Sequence, residues 1–258
     1  MSAAEIIAYI GAAAWIPQII AWLYQWYVTP QIKVITGRFA SIGYTRFGPI
    51  FNLNLGFFAN RKAALIEALD VMLLHEDGER HAFQMEGMSE TMSDIADASG
   101  AKTTVSKEQA TLAFRIGTET LLEKFVRFQE GKFHAALEPL VQQSATIIQF
   151  ERQKGGDYFS RVSQLKELSD TIAFNSSYFW WKAGRYEVRF TMKSPEKIRL
   201  KEEVFDLAVT QMDVDSLRVN IQQLQVEYEN LIRAGETGYT FKPVLWNWRS
   251  VRITRQKR

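Results

Sequence analysis

Residues 6–32 read IIAYIGAAAWIPQIIAWLYQWYVTPQI, 27 positions between Glu5 and Lys33 without one Asp, Glu, Lys, Arg or His. A helix rises about 1.5 Å per residue, so this run exceeds the roughly 20 residues needed to cross a hydrocarbon core about 30 Å thick. Trp22, Tyr24, Trp26 and Tyr27 gather at the end that meets the rest of the chain, where an interfacial aromatic belt sits. The expectation is a transmembrane helix over residues 1–30. Two other readings compete. A signal peptide calls for a basic start and a small-residue cleavage site, whereas residues 1–5 carry no Lys or Arg. A buried helix of a soluble protein is shorter as a rule and rarely holds three Trp and three Tyr without a charge.

Within the run, Gly11, Ala14, Gln18, Ala21 and Gln25 recur at a 3-4-3-4 spacing and share one narrow helical stripe. Small residues allow close helix approach, and a Gln in hydrocarbon seeks a partner across an interface or a water-lined path. The stripe is expected to form the seam of a homo-oligomer or the lining of a pore. The competing account has Gln25 reaching the interface and Gln18 satisfying a carbonyl freed by Pro17.

Lys33, Arg38, Arg46, Arg61 and Lys62 follow the run before the first acidic residue, Glu67. Positive loops stay inside, so the expected topology is single-pass in the cell inner membrane with the bulk of the protein in the cytoplasm. The formal charge of +2 gives no global attraction to nucleic acid, and any basic site must be local. The absence of Cys excludes disulfides and thiolate-based zinc or nucleophile sites.

Past the run, residues 50–58 set Phe51, Leu53, Leu55 and Phe57 against Asn52, Asn54 and Gly56, the period-two pattern of a half-buried strand. Residues 63–74 read as another strand, with a turn at Glu76-Asp77-Gly78 and a return over 81–85. Residues 86–102, poor in large apolar groups, are expected to be a loop, and 133–150 a strand pair or a short helix and strand. Residues 213–234 are the clearest helix of the part after the run, capped by Asp213 or Asp215. Its Leu217, Ile221, Leu224, Tyr228 and Leu231 form a seam that packs on its own domain or on another subunit.

At Gly184-Arg185-Tyr186-Glu187-Val188-Arg189-Phe190 the chain resembles an immunoglobulin-type domain, in which Gly-x-Tyr leads into a late strand and the Tyr hydroxyl bonds to backbone upstream. The resemblance implies an antiparallel β-sandwich over residues 31–194. The expected fold is therefore mainly β with α: a transmembrane helix, an immunoglobulin-like sandwich, then a strand, an amphipathic helix and a basic tail over residues 195–258.

After Glu236 no acidic residue appears, while Lys242, Arg249, Arg252 and Arg255 accumulate beside Trp246 and Trp248. Such a segment binds anionic lipid headgroups, or stacks on and neutralises a nucleotide or a short single-stranded nucleic acid. The third reading is a solvated tail after a final strand. His75 and His81 flank a carboxylate-bearing turn, but no third ligand has a spacing that completes a metal site. Gly155-Gly156 follows Lys154 without the rest of a phosphate-binding loop. The expectation is a protein that is not an enzyme and uses no metal or cofactor.

The plan of the chain, a membrane run followed by a cytosolic sandwich, is similar to the membrane-bound effector subunits of bacterial anti-phage systems, including the Hailong type. That resemblance implies an oligomeric effector, an ion channel in one form, gated by a nucleotide or oligonucleotide. The alternative is a membrane-tethered adaptor that docks a partner protein through its sandwich edge or C-terminal helix.

Overall fold

The computed structural model describes residues 13–96, 102–109, 112–201, 204–234 and 236–256. In chain order the elements are α1 (Ile16–Tyr27), β1 (Gln31–Thr45), β2 (Gly48–Asn60), β3 (Ala64–Ile66), β4 (Ala68–His75), β5 (Arg80–Ala96) and β6 (Lys102–Gln109). There follow β7 (Phe114–Ile116), β8 (Leu122–Glu130), α2 (Gly131–Gln153), α3 (Tyr158–Ser163), α4 (Lys166–Ser177) and β9 (Gly184–Lys193). The last are β10 (Arg199–Leu200), β11 (Val204–Val209), α5 (Gln211–Arg218), α6 (Asn220–Arg233) and β12 (Arg249–Arg255).

Eight strands close into an antiparallel barrel in the order β1, β12, β11, β9, β4, β5, β8, β2, and β2 pairs back onto β1. Residue parity decides what fills it. On β2 the odd positions Phe51, Leu53, Leu55 and Phe57 are buried, and on β1 so are Ala40, Ile42 and Tyr44. With Phe83, Phe128, Trp181 and Tyr186 these make the barrel axis a packed core, as expected where eight strands enclose a width that side chains can fill. β10 adds in parallel to the start of β1, β6 extends β5, and β3 with β7 forms a separate two-stranded piece.

The helices α2 to α4 sit between β8 and β9, and α5 and α6 between β11 and β12, so both groups leave from one end of the barrel. This upper end holds His75, Glu130 and Gly184, where β4 and β8 finish and β9 begins. Val162, Leu168, Leu217, Leu224, Tyr228 and Ile232 belong to the same hydrophobic core as the barrel interior, which makes the helical layer a lid of that core. At the start of α5, Thr210 Oγ1 accepts from Asp213 N–H at 3.2 Å while Asp213 Oδ2 accepts from Thr210 N–H at 3.0 Å, a reciprocal cap. The cap residue is thus Thr210 rather than Asp213 or Asp215. The seam helix is interrupted at Val219, and Leu231 of its stripe is exposed.

The immunoglobulin-like sandwich is corrected to a closed barrel. Strand count and a Gly-x-Tyr corner are common ground between the two architectures, and β1 separates them. Its 15 residues bend at an irregularity between Thr36 and Ala40, so one edge pairs with β2 and the other with β12. A sandwich keeps open edges; here β12 removes them.

The membrane span is corrected as well over the described part of the apolar run, residues 6–12 of which lie outside the described residues. Among the described residues no helix is long and apolar enough to cross a membrane. α1 has 12 residues, about 18 Å of helix, with Pro17 in its first turn and Pro30 just past its end. Gln31 and Ile32, which the apolar run included, are strand residues opposite Asn60 and Ala59 of β2 and Arg199 and Leu200 of β10.

Two smaller expectations fall too. β5 continues to Ala96 and pairs with β6 where a loop was expected, because Ser and Thr sustain a ladder without large apolar groups. Residues 133–150 lie in the single helix α2, which buries Phe133, Leu137 and Ser144 on one face despite Pro139.

Candidate functional site

The upper end gathers the chain's titratable and aromatic side chains into a closed network. His81 stacks flat on Trp180 with ring centroids 3.4 Å apart, and Trp180 Nε1 donates to Glu130 Oε2 at 2.9 Å. Trp181 Nε1 donates to Gly43 O at 3.0 Å and plugs the barrel mouth. Lys182 Nζ reaches Glu79 at 2.6 Å and Asp77 at 3.1 Å. The Glu79 N–H, then His75 and Lys182, hold the Asp77 carboxyl well below the usual carboxylate range. Tyr186 O–H donates to Lys182 O and accepts Lys182 N–H, each at 3.0 Å, and burial pushes its phenol up to about 12. This is the upstream backbone bond that the Gly-x-Tyr resemblance implied, set here in a barrel. Gly184 has φ +141, and a Cβ there would meet Glu76 Oε1 at 2.6 Å. Among the described residues no group of three or more His, Cys, Asp or Glu could hold a metal ion. The network ties β4, β5, β8 and the start of β9 together.

The basic, aromatic segment is not a free tail. Residues 236–248 form a strap across α6, clamped by two buried asparagines. Asn220 Nδ2 donates to Tyr44 O and Asn247 O, and its Oδ1 accepts Asn247 N–H at 2.8 Å. Asn230 Nδ2 donates to Lys242 O, and its Oδ1 accepts from Tyr239 O–H and Lys242 N–H. Lys242 Nζ is paired with Glu229 at 2.6 Å, and Arg249 Nε with Asp213 at 2.7 Å. Burial raises the Asp213 carboxyl, but hydrogen bonds from Thr210 and Arg249 outweigh it and hold the group below its ordinary value. Trp246 packs against the core, and Arg255 also has interaction partners.

Strand parity separates the remaining two. Val251 and Ile253 point into the barrel, which puts Trp248, Ser250, Arg252 and Thr254 on the outside. On β1 the same rule puts Phe39, Ser41 and Gly43 outside, and the register sets Phe39 opposite Arg252 and Ser41 opposite Ser250. The Trp248 ring lies where a Cβ on Gly43 would be. Phe39 is 55% exposed and Trp248 43%. Neither Arg38 nor Arg252, both exposed, makes an ion pair with a described residue. Two exposed aromatics and the Arg252 guanidinium thus share the outer face, while Arg38, at the parity of the inward Ala40 and Ile42, is exposed at the β1 irregularity.

The lower end differs again. Of the small-residue stripe, Ala14, Gln18 and Ala21 are exposed on the N-terminal helical segment, Gly11 lies outside the described residues, and nothing is described of the Gln25 side chain. Pro17, Ile20, Ala21 and Tyr24 form one wall of a cleft of about 970 Å³. The facing wall includes Arg61, Lys62, Leu65 and Arg115.

No family model matches the chain, and neither a curated protein nor a solved structure is similar to it. Phe39 escaped sequence reasoning because only the β1–β12 register brings it to Arg252. Asn220 and Asn230 left a fainter trace. Asn220 stands between Leu217 and Leu224 on an apolar stripe, and a polar residue there requires a buried partner.

Proposed function

We propose that the protein is a binding module, not an enzyme, and that it holds a short single-stranded oligonucleotide on the outer face of β1 and β12. The observation that carries this is the pairing of Phe39 with Arg252 on the face that also exposes Trp248, with no carboxylate paired to Arg252 among the described residues. Aromatic faces stack on any base at about 1–3 kcal/mol each, and guanidinium groups neutralise phosphate. Gly43, beneath Trp248, is four residues from Phe39, roughly 13 Å along the strand, a span that a few extended nucleotides cover. In the effector reading, the oligonucleotide is the signal and this face is its sensor. The filled barrel interior favours sensing on the outside over passage through the middle.

Fluorescence anisotropy of a labelled single-stranded oligonucleotide at low salt tests the reading. Binding is expected, weakened about fivefold or more by Phe39→Ala. Arg252→Gln should reduce the slope of log affinity against log salt by about 0.7. No binding at low salt, or a slope unchanged by Arg252→Gln, overturns it and leaves the adaptor reading.

A further inference from the structure

Apart from Gln18 and Gln25, α1 is built of apolar and aromatic residues, and so wide an apolar surface on a helix calls for something to cover it. Its exposed residues are not equivalent. Pro17, Ile20, Ala21 and Tyr24 face the cleft, so at 100° per residue Trp15, Ile19, Trp22, Leu23 and Trp26 fall on the opposite side. These five are 64%, 52%, 59%, 41% and 74% exposed, and Trp22 stacks on Trp26 at 5.6 Å. Across the cleft three cations, Arg61, Lys62 and Arg115, line the wall against one carboxylate, Glu196. Arg61 and Arg115 have no ion-pair partner among the described residues, and Lys62 has only Glu196 at 3.9 Å, each side chain about 40% exposed. Arg61 also holds a left-handed backbone, φ 75, which a β-carbon disfavours.

We infer that α1 and this rim dock on a lipid surface bearing anionic headgroups. The helix lies in the plane of the interface. Its Ile19, Trp22, Leu23 and Trp26 side sinks into the acyl boundary, and headgroup phosphates sit in the cleft against Arg61 and Arg115. Charge complementarity selects this occupant over a second copy of the chain, whose own α1 would bring apolar surface but no anion to the cations. Tryptophan at the face that meets the headgroup level has the same logic, an apolar body with one polar edge. Nothing here requires the helix to cross the bilayer, and the surface is distinct from the β1–β12 face.

Co-sedimentation of the full chain with phosphatidylglycerol-rich and pure phosphatidylcholine vesicles tests this. Strong binding to the anionic vesicles and at least tenfold weaker binding to the zwitterionic ones is expected. Arg61→Asn, which keeps a left-handed residue tolerable, and Arg115→Gln should each cost about fivefold on anionic vesicles and nothing on zwitterionic ones. Trp22→Ser with Trp26→Ser should weaken both. Phe39→Ala and Arg252→Gln should change neither, which separates this surface from the oligonucleotide face. Equal binding to both vesicle types, or arginine variants indistinguishable from the parent, overturns the inference. So does light scattering that shows a dimer dissociated by Trp22→Ser and Trp26→Ser without lipid.

Discussion

At the upper end Trp181 is 1% exposed and donates its indole N–H to Gly43, while on α1 Trp26 is 74% exposed and stacks on Trp22, itself 59% exposed. The same side chain closes a core in one place and presents a surface in the other. The contrast extends around each residue: carboxylates at the upper end are matched by Lys182, Trp180 and His81, whereas Arg61 and Arg115 at the lower end are unmatched among the described residues. Burial is concentrated under the helical lid, and the proposed binding surfaces sit where side chains lack partners among the described residues.

Substitutions can break this contrast or sharpen it. Trp181→Ala should cost the most, about 3–5 kcal/mol, read as a lower urea midpoint; a loss under about 1 kcal/mol would mean that the plug is not part of the core. Asn220→Ala comes next, at about 2–3 kcal/mol, because it strands the Asn247 N–H and the Tyr44 carbonyl. Amide exchange over residues 239–247 should speed up with it. Asp213→Asn should cost about 1 kcal/mol at neutral pH, as Arg249 is one-third exposed and its pair is partly screened. The folded carboxyl sits below its ordinary value of about 3.9, so its contribution is present above that pH and is lost as the pH falls through the folded value. Parent and variant stability curves should therefore converge on acidification from about pH 4 downward. Trp26→Ser should do least, within about 0.5 kcal/mol, while still acting on vesicle binding. A large loss of stability there would show that α1 is covered within the folded chain.

The parts of this architecture that local pattern controls were readable. Alternation on β2 named its buried face, and the turn at Glu76-Asp77-Gly78 predicted the β4–β5 hairpin, because period-two burial and turn chemistry act over a few residues. Gly184 and Tyr186 announced a corner but not the fold around it, since a hydroxyl bonding four residues back is blind to how distant strands close. The basic segment shows the same limit. Composition grouped Lys242, Arg249, Arg252 and Arg255 together, but Glu229 and Asp213, remote in sequence, occupy two of them. The long apolar run was divided by pairing, as β1 drew Gln31 and Ile32 into the sheet.

Closure through β1 and β12 also sets an order of events in time. Phe39 and Arg252 are roughly two hundred positions apart, so the contact that seals the barrel is among the last that a growing chain can make. Until the strap is laid across α6 and β12 arrives, β1 and β11 each present an unpaired edge to whatever is nearby. Such distant pairing slows folding, which makes the interval before sealing the period when this chain is most exposed to aggregation and to chaperone capture.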